Sequence, residues 1–183
     1  MKNIMKIYLA GPDVFLPDPL KIAEAKKKIC ANYGFMGIFP LDNVLDLSNL
    51  TPFESGVRIY QNNIKLMDDC DLIVANMTPF RGPSMDVGTA FELGYMAAQG
   101  KPIFAYTNDN RLYSDRVTKI TSDLDENGMS IELFQMHDNL MLEGAIVTSG
   151  GVLTTNSVQL EKYYTDLTVF EKVVKIASEK LLS

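Results

Sequence analysis

The sequence contains very few of the residues that bind metals or carry thiol and histidine chemistry. Among its 183 residues there is one histidine, His137, and there are two cysteines, Cys30 and Cys70. A single histidine excludes a multi-histidine metal site, and the two cysteines lack the C-x-x-C spacing of zinc and redox motifs. No G-x-S-x-G segment is present, so the nucleophilic serine turn is also missing. We therefore predict no metal and no cofactor, and carboxylates remain as the expected reactive groups.

Nucleotide-binding motifs, excess positive charge and long apolar runs are absent as well. The first predicted strand leads into AGPDVF (residues 10–15) instead of G-x-G-x-x-G, and no G-K-[ST] occurs. The net charge of −6 argues against nucleic acid as a partner, because binding a phosphate backbone needs clustered Lys and Arg. No apolar stretch reaches the roughly 18 residues of a membrane span. With two cysteines that suit a reducing compartment, we expect a cytoplasmic protein without nucleic-acid or membrane partners.

Apolar strands alternate with helical patterns along most of the chain. Hydrophobic residues make up 46% of the sequence, which is ordinary for a globular protein. The alternation predicts an α/β fold of Rossmann-like or flavodoxin-like type, with a mostly parallel sheet of about five strands flanked by helices. We expect a single domain over residues 1–183. The predicted strands are residues 4–10, 37–40, 71–76 and 101–106, and the predicted helices are residues 21–33, 57–68, 88–99 and 138–148.

The later part of the chain gives weaker patterns. Residues 107–128 are charged and loop-like. Residues 131–136 form either a fifth strand or an edge segment. Residues 157–182 predict a final amphipathic helix, a C-terminal extension that either runs through or is broken near residues 165–168.

Helical spacing also predicts which helix faces are buried. In the helix of residues 21–33, Lys26, Lys27 and Lys28 are expected mostly to face water. In the helix of residues 57–68, the apolar stripe consists of Val57, Tyr60, Ile64 and Met67.

The segment PFRGPSMDVGTAFELG (residues 79–94) carries two carboxylates, Asp86 and Glu92, between a buried strand and a helix. In open α/β sheets, ligands bind at the carboxyl ends of the strands. Glu92 stands among apolar or small residues, so it is either a partly exposed glutamate on a solvent face or a reactive group. Asp86 is either the cap that satisfies free backbone amides or a second reactive carboxylate. Both interpretations of each residue are open at this point.

Two other features are predicted to lie near this segment. Tyr8, in the first strand, is either a core residue or part of the site. If the first and third strands are neighbours, its hydroxyl emerges near the helix that carries Glu92 and needs a partner when buried. Phe80 and Arg81 either stack against a flat ligand or cap the sheet edge.

Taken together, these motifs resemble the nucleoside 2-deoxyribosyltransferase family. The resemblance covers about four fifths of the chain in order, and residues 86–95 are its most specific piece. The PFRG element is similar to the branch that includes protozoan members. The matching segments are IYLAGPDVF (residues 7–15), FPLDN (39–43), IYQNN (59–63), DLIVANMTPFRG (71–82), DVGTAFELGY (86–95), GKP (100–102) and DNLM (138–141).

The resemblance implies a retaining exchange in which a carboxylate attacks C1′ of a 2′-deoxynucleoside, the base leaves, and a second free nucleobase takes the sugar. Glu92 matches the nucleophile, Asp86 the acid that passes a proton to the base, and Tyr8 the tyrosine that hydrogen-bonds the nucleophile. Asn139 matches an asparagine that a neighbouring subunit supplies, which implies a homodimer or larger homo-oligomer with shared active sites. Further substrate contacts are implied for Asn63, Phe15, Phe80, Arg81, Gly11, Gly88 and Met141.

The sequence departs from the family pattern at two places. Asn63 stands where characterised bacterial members carry an aspartate that binds the sugar hydroxyls. The chain also continues for nearly forty residues beyond EGA (residues 143–145), where short bacterial members end. The C-terminal helix is therefore expected to cover the sheet or to build a subunit interface.

Two alternative functions remain. A hydrolase is the nearest alternative, because the related deoxynucleoside 5′-monophosphate N-glycosidases keep the nucleophile. They have serine at the position of Asp86, however, and the charge of Asp86 would repel a phosphate and favours a free nucleoside. The other is a nucleoside-binding module without catalysis. Retention of Tyr8, Asp86 and Glu92 together argues against it, because binding alone does not need a bare glutamate at C1′.

Overall fold

The computed structural model describes residues 4–183 and contains a five-stranded parallel sheet, as the sequence predicts. The strands are β1 (Lys6–Ala10), β2 (Met36–Ile38), β3 (Leu72–Asn76), β4 (Ile103–Thr107) and β5 (Leu153–Thr155). Their order in the sheet is β2-β1-β3-β4-β5, the flavodoxin-like order, in which the direction of strand addition reverses between β1 and β3. Ligands of such sheets bind at this switch point.

In the described part of the chain, six α-helices connect and cover these strands. A short 3-10 helix over Pro12–Phe15 follows β1, and another lies at Leu160–Lys162. Across residues 4–183, no helix combines the length and apolar character that crossing a membrane requires. The α-helices are α1 (Pro19–Asn32), α2 (Pro52–Asp68), α3 (Val87–Ala98), α4 (Tyr113–Arg116), α5 (Leu140–Thr148) and α6 (Thr168–Leu181).

Alternate residues of β1, β3 and β4 enter two separate cores. On one face, Ile7 and Leu9 of β1 pack in the cluster that includes Phe170 of α6. On the other face, Tyr8 of β1 packs in the cluster that includes Leu93 of α3 and Ile146 of α5. This period-two alternation places the Tyr8 side chain on the face that α3 covers.

The fifth strand is not where the apolar pattern of residues 131–136 suggested it. That segment is irregular, whereas Leu153–Thr155 pairs with the end of β4. A close approach of backbones explains the position: a Cβ at Gly151 would lie 1.6 Å from the carbonyl oxygen of Ile103, so only glycine fits there. The Gly150-Gly151 break therefore brings the chain against β4, and a three-residue strand was too short to stand out in the sequence.

The C-terminal helix does not run through residues 157–182, and the alternative of a break near residues 165–168 is confirmed. It begins at Thr168 rather than at residue 157, and the Thr168 amide donates to the Asp166 carboxylate at 2.9 Å. Residues 157–167 are mostly irregular, and the carbonyls of Tyr163 and Asp166 accept hydrogen bonds from the Asn108 side chain rather than from a helix. Helix α6 itself covers the sheet, with Val173 and other apolar residues fully buried. The expectation that the C-terminal helix covers the sheet is therefore confirmed.

Two expectations about helix faces were wrong. Lys26 does not face water: its side chain is 1% exposed and forms a 2.7 Å ion pair with Asp13. Helical spacing hid this because the partner lies in the loop after β1, on another element. In α2, Met67 is buried, but Tyr60 is 53% exposed and Val57 is 39% exposed, so part of the predicted apolar stripe faces solvent.

Candidate active site

Glu92 of α3 and Tyr8 of β1 form a hydrogen-bonded pair at the switch point. The Tyr8 hydroxyl donates to Glu92 Oε1 at 2.6 Å, and the tyrosine ring is fully buried. Because β1 and β3 are neighbours, the α3 helix that follows β3 lies over β1 and brings Glu92 to this hydroxyl. The conditional prediction for Tyr8 is therefore confirmed, and a purely solvent-facing Glu92 is excluded.

Burial of the pair changes the protonation of both groups. It raises the pKa of Glu92 from its ordinary 4.5 to about 7; the hydrogen bond from Tyr8 opposes this rise and the nearby charge of Asp86 adds to it. Burial, together with the charge of Glu92, raises the pKa of Tyr8 far above its ordinary value. Around neutral pH, Tyr8 therefore remains a donor while Glu92 exchanges between its acid and its carboxylate forms. Such a group in a cleft is a candidate for catalysis.

Asp86 is the N-cap of α3 and also lines the cavity beside Glu92. Its Oδ2 accepts hydrogen bonds from the Thr89 amide at 2.9 Å and from the Thr89 hydroxyl at 3.0 Å. A Cβ at Gly88 would approach the same oxygen to 3.1 Å, a tight contact that the glycine avoids. The capping interpretation is thus confirmed, and it is compatible with a second role because the carboxyl group also faces the cavity.

A cavity of about 310 Å³ lies next to these carboxylates at the carboxyl ends of β1 and β3. Its size is at the lower end of the range for small-molecule sites, which are ~300–1,000 Å³. Among the residues that the structure describes, the Asn63 side-chain oxygen is buried there without a hydrogen-bond partner. Six predicted site residues line the cavity: Gly11, Phe15, Asn63, Asp86, Gly88 and Glu92. The lining also includes Val14, Pro40, Leu41, Ile59 and Thr89, which lie within the matching segments but were not predicted as site residues.

A second concavity of about 350 Å³ lies on the other side of Glu92. It shares Ile59, Asn63 and Gly88 with the first cavity and is bordered by Tyr60 and Phe91. The rings of these two residues lie 6.0 Å apart and are about half exposed. Glu92 is therefore reachable from two directions, and one of them opens onto an exposed aromatic surface.

Phe15, Phe80 and Arg81 assemble into one group, which we call the aromatic platform. The rings of Phe15 and Phe80 are stacked, with centroids 5.4 Å apart and planes 10° apart. The Arg81 guanidinium carbon lies 4.6 Å from the centroid of the Phe80 ring and 5.1 Å from that of the Phe15 ring. Because Phe15 also lines the cavity, the platform stands at the edge of the site.

Asn139 and Met141 do not line either cavity beside Glu92 in this chain. Asn139 is the N-cap of α5: its Oδ1 accepts from the Met141 amide at 3.0 Å, and its Nδ2 donates to Glu132 at 2.6 Å. Met141 is 72% exposed. A contribution of these residues to the site of a neighbouring copy remains a prediction.

A buried carboxylate next to Asn139 connects α5 with the loop that leads into α3. Asp138 accepts from the Ser84 hydroxyl, from the Met85 amide at 2.9 Å and from the Asn139 amide at 2.8 Å. The buried Arg116 guanidinium lies 3.7 Å away. Asp138 therefore fixes the loop before Asp86, although nothing in its own motif distinguished it from a solvated acid.

The loop after β1 is held by the ion pair that the sequence did not reveal. Asp13 binds Lys26, and the ammonium group lies 5.3 Å from the centroid of the Tyr106 ring and 5.2 Å from that of Phe170. A Cβ at Gly11 would lie 2.3 Å from Asp13 Oδ2, so only glycine at this position lets the Asp13 carboxylate lie against the backbone of residue 11. The Asp13–Lys26 ion pair fixes the segment that contains Phe15, and thereby the position of Phe15 at the cavity.

Comparison with known proteins identifies the family of this chain. The sequence matches the family model described as nucleoside 2-deoxyribosyltransferase over residues 7–141, which includes both carboxylates and Tyr8. The chain belongs to the nucleoside 2-deoxyribosyltransferase family. A solved structure, the 2-desoxiribosyltransferase from Leishmania mexicana, is similar with a TM-score of 0.66 and 28% sequence identity, covering 93% of this chain and 97% of that chain.

Two curated relatives of this deoxyribosyltransferase-family chain differ in what their names state. An uncharacterized protein of Schizosaccharomyces pombe is 34% identical over 170 residues, 82% of this chain and 81% of that protein. A putative 2′-deoxynucleoside 5′-phosphate N-hydrolase 1 of Thermofilum pendens is 33% identical over 115 residues, 60% of this chain and 73% of that protein. The family and these similarities indicate a nucleoside-processing enzyme.

Proposed function

We propose that this chain transfers a 2-deoxyribosyl group between nucleobases by a retaining double displacement. The observation that carries the proposal is the hydrogen bond from the buried Tyr8 to the partly buried Glu92, whose pKa is raised to about 7, beside a cavity of about 310 Å³. A carboxylate can attack an oxocarbenium-like carbon only in its ionised form. A pKa near 7 keeps a large ionised fraction available around neutral pH while the group remains basic.

In the first step, one oxygen of the Glu92 carboxylate bonds to C1′ of the deoxynucleoside as the bond from C1′ to the base breaks. The Tyr8 hydroxyl holds Oε1, which leaves Oε2 to act as the nucleophile. The leaving base takes the electron pair of the broken bond and a proton from Asp86. In the second step a new base attacks C1′, the bond from C1′ to Glu92 breaks and its electron pair returns to the carboxylate, and Asp86 takes the proton that the incoming base loses. Two inversions give net retention.

The remaining cavity residues bind the substrate in this proposal, and no cofactor takes part. The buried, unpartnered oxygen of Asn63 accepts a sugar hydroxyl, in place of the aspartate expected from bacterial members. Gly11 and Gly88 leave room for the sugar, while the aromatic platform borders the base. Phe80 and Arg81 border the base as members of this platform.

We further propose that two or more copies associate and share their sites. Helix α2 presents Phe53, Val57 and Tyr60 at the i, i+4 and i+7 spacing of one helical face, and Phe91 of α3 contacts Tyr60. We call these four residues the α2–α3 face. Adjacent exposed apolar residues of this kind mark interaction surfaces. A second copy on this face would border the second concavity and could bring Asn139 to Glu92.

The decisive experiment is covalent trapping. A 2-fluoro-2-deoxyarabinosyl nucleoside is expected to add the mass of its sugar to the wild-type protein, on the peptide that contains Glu92. Glu92→Ala should neither be labelled nor exchange bases, whereas Glu24→Ala, a change at an exposed glutamate of α1, should behave as the wild type. Exchange at the wild-type rate in Glu92→Ala would refute the proposal.

A hydrolase is the second candidate, because the relative from Thermofilum pendens is named as an N-hydrolase and the site opens in two directions. Transfer and hydrolysis share the first step and differ in whether a base or water attacks the intermediate. Deoxyinosine supplied with and without free adenine separates them. Formation of deoxyadenosine supports transfer, whereas release of deoxyribose that added adenine does not change supports hydrolysis.

A further inference from the structure

The segment before α6 reaches the aromatic platform although it lies outside the family match, which ends at residue 141. The Tyr164 hydroxyl donates a hydrogen bond to the carbonyl oxygen of Pro79, the residue before Phe80. The Tyr164 ring also meets the Phe80 ring edge-on, with centroids 6.1 Å apart. One side chain from the end of the protein thus contacts both the backbone and the ring of the platform loop.

Asn108 fixes the position from which Tyr164 makes these contacts. This buried residue follows β4, and its Nδ2 donates to the carbonyl oxygens of Tyr163 at 2.8 Å and Asp166 at 3.0 Å, on either side of Tyr164. The Asn108 amide donates at 3.1 Å to the Thr78 hydroxyl, next to Pro79. The sheet therefore holds the Tyr164 segment and the start of the platform loop through one residue.

The platform loop needs such support. Arg81 has a φ of +58°, in the left-handed region that non-glycine residues rarely adopt, and such backbone persists only when surrounding contacts hold it. Phe15 is 56% exposed, and among the aromatic contacts described its ring stacks only on Phe80. A shift of Phe80 would therefore remove the ring on which Phe15 stacks, and Phe15 lines the cavity.

We infer that Tyr164 is a positioning residue that sets the affinity and preference for the nucleobase by holding Phe80, and through it Phe15, at the edge of the cavity. This inference rests on the proposed function. It gives the C-terminal extension a role in base selection, in addition to the cover that α6 provides for the sheet.

The test compares Tyr164→Phe, Tyr164→Ala and the matched control Tyr163→Phe. The control removes a hydroxyl one residue away, beside Asp109 and Arg111, and leaves the platform contacts intact. Calorimetry measures the affinity for adenine, hypoxanthine and cytosine, and exchange assays give KM for each base and kcat at saturation. Trypsin cleavage after Arg81, an exposed residue, reports on opening of the loop without any turnover.

Loss of the hydroxyl in Tyr164→Phe is expected to weaken base binding by about two- to tenfold, the worth of one hydrogen bond. Tyr164→Ala should weaken it further, change the ratio of affinities among the three bases and speed cleavage after Arg81. The KM for the bases should rise while kcat at saturation stays within about twofold of the wild type. The control Tyr163→Phe should match the wild type in all of these measurements.

Several outcomes would overturn the inference. Unchanged base affinities in Tyr164→Ala would refute it while leaving the proposed function intact. A fall in kcat and in thermal stability with unchanged KM would show a structural role only. A wild-type protein that neither binds nor exchanges a base would refute both proposals, whereas one that binds bases but hydrolyses the nucleoside would refute only the transfer reaction.

Discussion

Replacing Glu92 with glutamine is expected to stabilise the folded protein, and to do so increasingly as the pH rises. Glutamine keeps the shape of glutamate and still accepts the hydrogen bond from Tyr8, but it does not titrate. In the wild type, burial raises the pKa of Glu92 from 4.5 to about 7. The native state therefore holds this proton more tightly than the unfolded chain does, and ionisation of Glu92 costs the native state free energy.

The size of the effect follows from the two pKa values. A raised native pKa gives stability that is fully present below pH 4.5 and is lost as the pH rises through about 7. The full difference corresponds to about 3 kcal/mol, at 1.36 kcal/mol for each tenfold change in proton affinity. About 1 kcal/mol of it is already lost at pH 5 and nearly all at pH 8. The advantage of Glu92→Gln over the wild type should therefore widen by about 2 kcal/mol between these pH values.

Urea unfolding at pH 5 and pH 8 measures this difference directly, and thermal melting should show the gap in Tm widening by about 4–8 °C for a chain of this size. Glu24→Gln, at an exposed position on α1, is the control and should follow the wild type at both pH values. If the difference between Glu92→Gln and the wild type is the same at pH 5 and pH 8, the burial argument for Glu92 is wrong. Such a trade of stability for a buried reactive group is common at active sites.

Three further predictions follow from buried contacts. Tyr8→Phe removes the hydrogen bond that lowers the pKa of Glu92, so the acidic limb of the profile of kcat/KM against pH should move to higher pH; an unmoved limb would show that Glu92 does not limit the rate. Lys26→Met leaves Asp13 buried without its cation and should lower the free energy of unfolding in urea by about 3–5 kcal/mol, with partial recovery in the double variant with Asp13→Asn. Asp138→Asn replaces the carboxylate that holds the loop before α3 with an amide and should lower the free energy of unfolding, measured in urea, by about 1–3 kcal/mol. No change would show that other contacts hold the loop.

The contact between Glu92 and Tyr8 could be predicted because it depends on strong regularities. A buried strand followed by an apolar helix fixes where the helix lies, and alternation along β1 fixes which face Tyr8 points to. The same regularities produced the parallel sheet. Asp86 also behaved as its position suggested, as a cap at the start of α3.

The features that the sequence hid depend on contacts between distant elements or on short segments. Lys26 looked solvent-facing because its partner Asp13 belongs to the preceding loop, and only the folded chain brings the two together. β5 has only three residues. Its pairing with β4 depends on the close approach of Gly151 to the backbone of Ile103, which leaves no periodic pattern in the sequence. Tyr164 reaches Pro79 across 85 positions of the sequence, and no local pattern reports such a contact.

The balance between transfer and hydrolysis is expected to depend on the α2–α3 face. The second concavity beside Glu92 opens at Tyr60 and Phe91, so a second copy on this face would restrict the access of water to the glycosyl intermediate. Phe53→Lys places a charge on the same helical face, two turns from Tyr60, and should weaken association as measured by light scattering.

Phe53→Lys should also raise the ratio of deoxyribose to deoxyadenosine formed from deoxyinosine and adenine. Val44→Lys makes the same kind of change at a fully exposed loop residue outside this face, and it should leave both the association and the product ratio as in the wild type. If Phe53→Lys is monomeric and its product ratio equals that of the wild type, then the chain's own residues exclude water and the neighbouring copy does not. That result would leave the cavity lined by Phe15, Pro40 and Leu41 as the part of the site that protects the intermediate.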